Sequence, residues 1–420
     1  MFFNVSGGAY SLEELVTSTG AGLAIIILAV VPLVWSVPEV LIVGELASAV
    51  PEEGGYYRWV LRAFGRFWAF QNGWWTWLYS LVDMAIYPVL LNTYLAYFLP
   101  DLSRSIKWAI ALAMIWGATL LNLRGVARVG RASMAAGGFV LVAFVLMTIG
   151  AIPHFFHAPW QPMLAPGKHV VSSMGVGLSI ALWNYVGWDN ASTVEGEIDD
   201  PSRNYPRALW RALPLVVAAY LIPIVAALAA TQFTDWHDGG WPDIARIAIG
   251  GDAGRVVAIL IAVGGIVSAL ALFNALLMSY SRIPFAMALD GLMPSSIARL
   301  NSHAVPRNAV LASAVCYSIF ALAPFGELVV ADVVLYSLAL FVEFAALIQF
   351  RRREPELRGD FRIPVGTTGV VLLALLPVAI LLLVIALGVR DGTYAVPALI
   401  GSLIGVLLGP VLYMLIWRRD

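Results

Sequence analysis

Eleven apolar runs, each long enough to cross a bilayer, succeed one another near residues 21–48, 67–98, 106–123, 132–152, 172–198, 208–231, 255–281, 309–324, 328–350, 367–388 and 394–417. Within lipid every backbone N–H and C=O must find its partner inside the protein, so a spanning segment is a helix or part of a closed barrel. Runs of this length fit helices. The expected fold is therefore an all-α polytopic membrane protein with short loops. At 60% hydrophobic and 12% charged over 420 residues, the composition leaves no room for a large extramembrane domain.

The basic residues orient the spans. Of the 25 Lys and Arg, 19 fall in one set of alternate loops, around 58–66, 124–131, 203–211, 282–307, 351–362 and 418–419. By the positive-inside rule that set is cytoplasmic and the C-terminus lies inside, with a cell (plasma) membrane the expected location. Eleven spans ending inside put residue 20 outside. Residues 1–20 then read as the outer half of a first span truncated at its N-terminus.

Several function classes drop out. A formal net charge of -1 gives nucleic acid no footprint. The single Cys316 supports neither a disulfide framework nor a thiolate cluster. His154, His157, His169, His237 and His303 all fall in loops without metal spacing, and no phosphate-binding loop is present. No cofactor, no metal and no enzymatic chemistry are expected. The clustered Trp74, Trp75, Trp77, Trp108 and Trp116 read as an interfacial aromatic belt.

Two interruptions stand out against this background. The run 172–198 is broken at Trp183-Asn184-Tyr185-Val186-Gly187-Trp188-Asp189. Non-helical backbone at membrane depth is tolerated where it lines a protein-enclosed cavity, so this is a candidate binding site. A second break, Val5-Ser6-Gly7-Gly8-Ala9-Tyr10, offers consecutive N–H groups at the start of a half-helix, a geometry suited to a carboxylate. The breaks lie five spans apart, as expected of two five-helix repeats inverted about an axis in the membrane plane, each opening with a discontinuous helix.

Ionisable groups within spans are costly and so are functional candidates. Asp83 sits mid-span, one turn before Tyr87 and Pro88, and could receive an ammonium group. An Asp at the end of the 183–189 break suits an N-cap, and Asp189 is read chiefly so, with substrate contact as the alternative. Glu13 and Glu14 face either an outer vestibule or solvent. Glu195 and Glu197 read as gate or helix-end charges. Glu343, alone in its run, is a proton-handling group or an interface residue.

The run from Gly44-Glu45-Leu46-Ala47 through Pro51-Glu52-Glu53-Gly54-Gly55-Tyr56-Tyr57 resembles the loop after the second span of amino acid/polyamine/organocation permeases. Ser279-Tyr280-Ser281-Arg282, then Ala288-Leu289-Asp290-Gly291-Leu292-Met293-Pro294 and Val305-Pro306-Arg307-Asn308-Ala309, resemble that superfamily's loop after span eight. The similarity covers nearly the whole chain. Phe2-Phe3-Asn4-Val5-Ser6-Gly7-Gly8, Trp183-Asn184-Tyr185 and Asp83-Met84-Ala85-Ile86-Tyr87-Pro88 are most similar to its polyamine/proton symporter branch.

That resemblance implies a leucine-transporter-type inverted repeat, five plus five helices and two more, working by alternating access. The repeats would be 1–152 and 172–324 continuing to 350, followed by two helices over 367–417. It implies too that Glu45 lies in a cytoplasmic gate and that Trp183 swings over bound substrate, with Asn184, Tyr185 and Val186 lining the pocket. An aromatic face also suits an ammonium group.

The expected function is secondary active import of amino acids or polyamines, with protons as the expected partner ion; the oligomeric state is open. Exchange or uniport without protons is the alternative, and a non-transporting amine sensor the alternative of another class. Thr93 stands where the plant members carry an Asp, which keeps amino acids open. Residues 132–152 lack the lysine that some proton-coupled relatives carry in span five, which leaves the coupling ion open.

Overall fold

The structure is a computed structural model that describes residues 2–124, 129–391 and 395–417. The described chain is helical almost throughout. A short helix α1 (Phe2–Val5) precedes α2 (Leu12–Thr19), and α3 (Ala21–Val31) continues through a π-helical turn at Pro32–Ser36 into α4 (Val37–Ala49). Then come α5 (Gly55–Phe64), α6 (Arg66–Leu95), α7 (Arg104–Leu123), α8 (Val129–Ala151) and α9 (Val170–Tyr185). A 3-10 segment, Asn190–Glu197, leads to α10 (Pro201–Ala230), α11 (Trp241–Ile249) and α12 (Gly251–Leu289). The chain closes with α13 (Arg307–Phe320), α14 (Phe325–Arg353), α15 (Thr367–Asp391) and α16 (Ala395–Trp417).

Among the described residues, nine helices are long and apolar enough to cross a membrane, against eleven runs expected from sequence. The two that fall short have physical reasons. The run 172–198 is split between α9 and the 3-10 segment, and α13 has 14 residues, about 21 Å at 1.5 Å per residue.

Burial separates an inner from an outer layer. Helix α6 is buried on nearly every side, wedged between α12 and α14, whereas α15 and α16 expose Leu372, Leu382, Leu403 and Leu407 as a lipid-facing surface would. Two of the tryptophans read as an aromatic belt, Trp74 and Trp77, also tie helices together. Trp74 Nε1 donates to the Gly405 carbonyl at 2.9 Å, and Trp77 Nε1 to Ser313 Oγ at 3.0 Å. An indole N–H at membrane depth needs a partner, and a neighbouring helix supplies it.

At the arginine-rich end, α5 lies across the helix ends with Tyr56, Tyr57, Trp59 and Val60 buried. Arg58 meets Asp290 at 2.9 Å and Arg62 meets Glu354 at 2.6 Å, while the Tyr57 hydroxyl donates to Asp290 at 2.8 Å. The two loop motifs singled out in the sequence thus pack against each other. Arg128, Arg418 and Arg419 lie outside the described residues.

Candidate functional site: a carboxylate-lined cavity between two broken helices

The break in the sixth span is narrower than the sequence suggested. Trp183, Asn184 and Tyr185 remain helical, and the chain leaves α9 only at Val186, with Gly187 at φ 95°. A left-handed φ favours glycine, since a side chain there would clash with its own carbonyl. Most of the backbone groups released here are already engaged. Tyr220 Oη donates to the Asn184 carbonyl at 2.8 Å and Trp188 Nε1 to that of Tyr185 at 2.8 Å. Tyr205 Oη serves the Trp188 carbonyl at 2.9 Å. The Asn184 and Tyr185 carbonyls are therefore taken up within the protein and are not free acceptors for a ligand ammonium.

The first break spans Ser6 to Ser11, between α1 and α2. Gly8, at φ 96°, brings its backbone against Val140 and Phe144, so a side chain would not fit. Ser6 Oγ accepts from Gly8 N at 3.2 Å, Ser268 Oγ donates to the Gly7 carbonyl at 2.7 Å, and Trp241 Nε1 donates to the Ala9 carbonyl at 2.7 Å. Asn184 Nδ2 reaches Ser11 Oγ at 3.3 Å and joins the two breaks directly.

Between the breaks lies a cavity of about 40 Å³. A water needs roughly 10–15 Å³ measured this way, so the space as it stands holds a few waters and must widen for a larger solute. Gly7, Gly8, Asn184, Val186 and Gly187 contribute to its wall. So do two carboxyls, Asp83 from α6 and Asp332 from α14.

Asp83 is held by three aromatic donors. Trp183 Nε1 lies 3.1 Å and Tyr280 Oη 3.0 Å from its carboxylate, and Tyr87 Oη lies 3.2 Å from one oxygen and 3.3 Å from the other. The Trp183 ring packs edge-on against Phe325 and tilts toward Tyr87 on the cavity wall. Asp332 is 2% exposed, and its Oδ1 has no partner among the described residues. No basic side chain pairs with either carboxyl among the described residues. Neutral donors stabilise an anion, but a buried charge without a counter-charge retains a desolvation cost that an incoming cation would relieve.

Sequence reasoning passed over Asp332 because it stands near the start of its apolar run and reads as an end charge. The available signal was spacing: Asp332, Tyr336 and Glu343 fall at i, i+4 and i+11, one face of a helix.

The other candidates sort by partner. Glu45 is bidentate with Arg351, at 2.7 and 2.5 Å, and also accepts from Ile363 N at 2.8 Å. It clamps α4 to the end of α14 and the following loop. Glu13 is fully buried rather than solvated, accepting from Tyr94 Oη at 2.8 Å and Trp241 N at 3.3 Å. Asp189 makes no side-chain cap bond to the 3-10 segment after it, because its carboxylate meets Tyr336 Oη at 2.7 Å instead. Glu343 is buried on α14, 3.4 Å from Asn72 Nδ2.

Comparison with known proteins agrees with this architecture. The amino acid permease family matches residues 1–407. Polyamine transporter PUT1 of Oryza sativa subsp. japonica is 35% identical over 98% of this chain and 76% of its own length. Polyamine transporter RMV1 of Arabidopsis thaliana is 34% identical over 98% of this chain and 83% of its own. An uncharacterized transporter of Legionella pneumophila is 24% identical over 80% of this chain and 76% of its own. With a multi-pass helical body, a cavity between two broken helices and these relatives, the chain belongs to the amino acid permease family, in the polyamine transporter branch of the amino acid/polyamine/organocation superfamily.

Proposed function

We propose that this protein imports di- or polyamines across the plasma membrane by proton symport with alternating access, in a leucine-transporter-type arrangement of two inverted five-helix repeats and two further helices. The observation that carries the substrate assignment is the pair Asp83 and Asp332 on one cavity. A flexible dication places one ammonium at each carboxylate, and the Tyr87, Tyr280 and Trp183 rings supply cation–π surface between them. The names of the plant relatives point the same way.

An amino acid fits less well. Its ammonium suits Asp83 and its carboxylate suits the N–H groups of the Gly7–Gly8 break, but the second carboxylate, Asp332, would repel the ligand's own. Transport requires Asp83 to exchange an indole or phenol donor for the ammonium, which loosens the Trp183 lid. In this reading the arginine-rich loops are cytoplasmic and the C-terminus lies inside, as the positive-inside rule supports.

Uptake of labelled putrescine, spermidine and a panel of amino acids into proteoliposomes, with and without an inward proton gradient, tests this. Saturable amine uptake stimulated by the gradient is expected. Preference for amino acids would remove the two-carboxylate reading, and uptake indifferent to the gradient would remove symport.

A further inference from the structure

On the cavity wall, two buried carboxyls from separate spans converge on one phenol. The Tyr336 hydroxyl on α14 lies 2.5 Å from Glu39 Oε1 on α4 and 2.7 Å from Asp189 Oδ1 at the second break, and it accepts from Gly187 N at 3.0 Å. Both carboxyl contacts are of hydrogen-bond length, yet a phenol has one hydrogen. It can donate to one carboxylate only. The second contact is a hydrogen bond when the other carboxyl carries its own proton and donates it to the phenol oxygen. The oxygen then has both lone pairs used, by that acid and by Gly187, and its hydrogen given to the remaining carboxylate.

We propose that Glu39, Tyr336 and Asp189 hold one shared proton between two carboxyls, and that this is the proton carried with the amine. The proposal rests on the symport reading above. Its surroundings contain no counter-ion among the described residues. Glu343, with one carboxyl oxygen unpartnered among the described residues, is acted on electrostatically by Asp189 and Glu39, and Glu39 by Asp189. The other titratable groups on the site are phenols: Tyr79 on α6, Tyr56 on α5 and Tyr205 on α10. Glu195 acts on Tyr205, and both of its oxygens are buried and unpartnered among the described residues. Losing the proton would leave two carboxylates across a single phenol hydrogen in a dry interior, so release waits for solvent to reach the pair.

The pair is joined to the substrate position by hydrogen bonds. Tyr280 donates to Asp83 and accepts from Asn190 Nδ2 at 3.2 Å, and Asn190 Oδ1 accepts from Tyr79 at 3.1 Å. Asn190 follows Asp189 directly, and Tyr336 and Gly187 line the cavity themselves. An ammonium that takes Asp83 from Tyr280 therefore perturbs the segment that holds Asp189. In the balance of one cycle, a proton from the outer solution binds one carboxyl. Tyr336 turns its hydrogen to the other, and the same proton leaves as H⁺ toward Glu343 and Glu195 when the arginine-rich side opens.

Glu39→Gln and Asp189→Asn fix each carboxyl as a neutral group, and Tyr336→Phe removes the bridge. Each variant would be reconstituted and read for gradient-driven accumulation and for exchange of labelled against unlabelled putrescine with no gradient, which reports folding and substrate binding. Retained exchange with accumulation lost in Glu39→Gln and Asp189→Asn is the expected result. Accumulation at the wild-type level in both would overturn the proposal while leaving symport intact. Wild-type uptake that ignores the proton gradient would sink the symport reading itself and this proposal with it. If a variant loses exchange as well, the same readouts on Tyr336→Phe decide, since the aromatic ring and its packing remain.

Discussion

Helix α14 carries two kinds of buried charge, and the difference between its two ends is instructive. At its arginine-rich end, Arg351 meets Glu45 in a bidentate pair with further bonds to the carbonyls of Ile363 and Val365. At the other end Asp332 lines the cavity with an oxygen unpartnered among the described residues, alongside an Asp83 held by neutral donors. By helical rise the two positions on α14 are about 28 Å apart. A carboxylate that serves the fold comes with its cation in the same chain. The pair on the cavity has none among the described residues, and in the proposed function the substrate supplies that cation.

The comparison can be broken at either end. Asp83→Asn keeps an acceptor for Tyr280 but removes the charge, so amine affinity is expected to fall on the order of 30- to 5,000-fold, corresponding to the roughly 2–5 kcal/mol lost with one partner of a buried charge pair. Radiolabelled amine binding to purified protein measures it. Arg351→Gln should do the opposite. It leaves Glu45 buried without a counter-charge and is expected to lower stability by about 3–5 kcal/mol, seen as a lower unfolding midpoint in detergent, while the ranking of substrates stays the same.

A finer division is expected within the cavity. Asp332→Asn should weaken diamine binding by about 10- to 100-fold, again from the loss of one charge-assisted contact, and leave a monoamine of equal length nearly untouched. The smallest effect belongs to Trp183→Phe, which keeps an aromatic lid and removes the N–H donor to Asp83. A hydrogen bond to a charged group contributes roughly 1.5–3 kcal/mol, but an incoming ammonium replaces it, so a change of a few-fold in uptake is expected.

Much of the fold is legible in the sequence, because helix at membrane depth follows from hydropathy and length alone. Positions of the spans, the two breaks and Asp83 are of this kind. What pairs across the bundle is not. Tyr280 lies 197 residues from Asp83, and Arg351 lies 306 from Glu45, so no local pattern announces either contact. Asp189 was read as a cap because local preference favours it, and a phenol from α14 outcompetes that preference. Glu13 was open between vestibule and solvent because its α2 neighbours do not reveal that Tyr94 and Trp241 cover it.

The most direct test of the two-carboxylate site is the ratio of affinities for a diamine and a monoamine of the same chain length, measured by calorimetry on purified wild-type protein and on Asp332→Asn. The account expects a preference for the diamine of about tenfold or more in the wild type, close to the contribution of one charge-assisted contact, and a ratio near unity in the variant. A diamine preference that survives loss of Asp332 undiminished would contradict it.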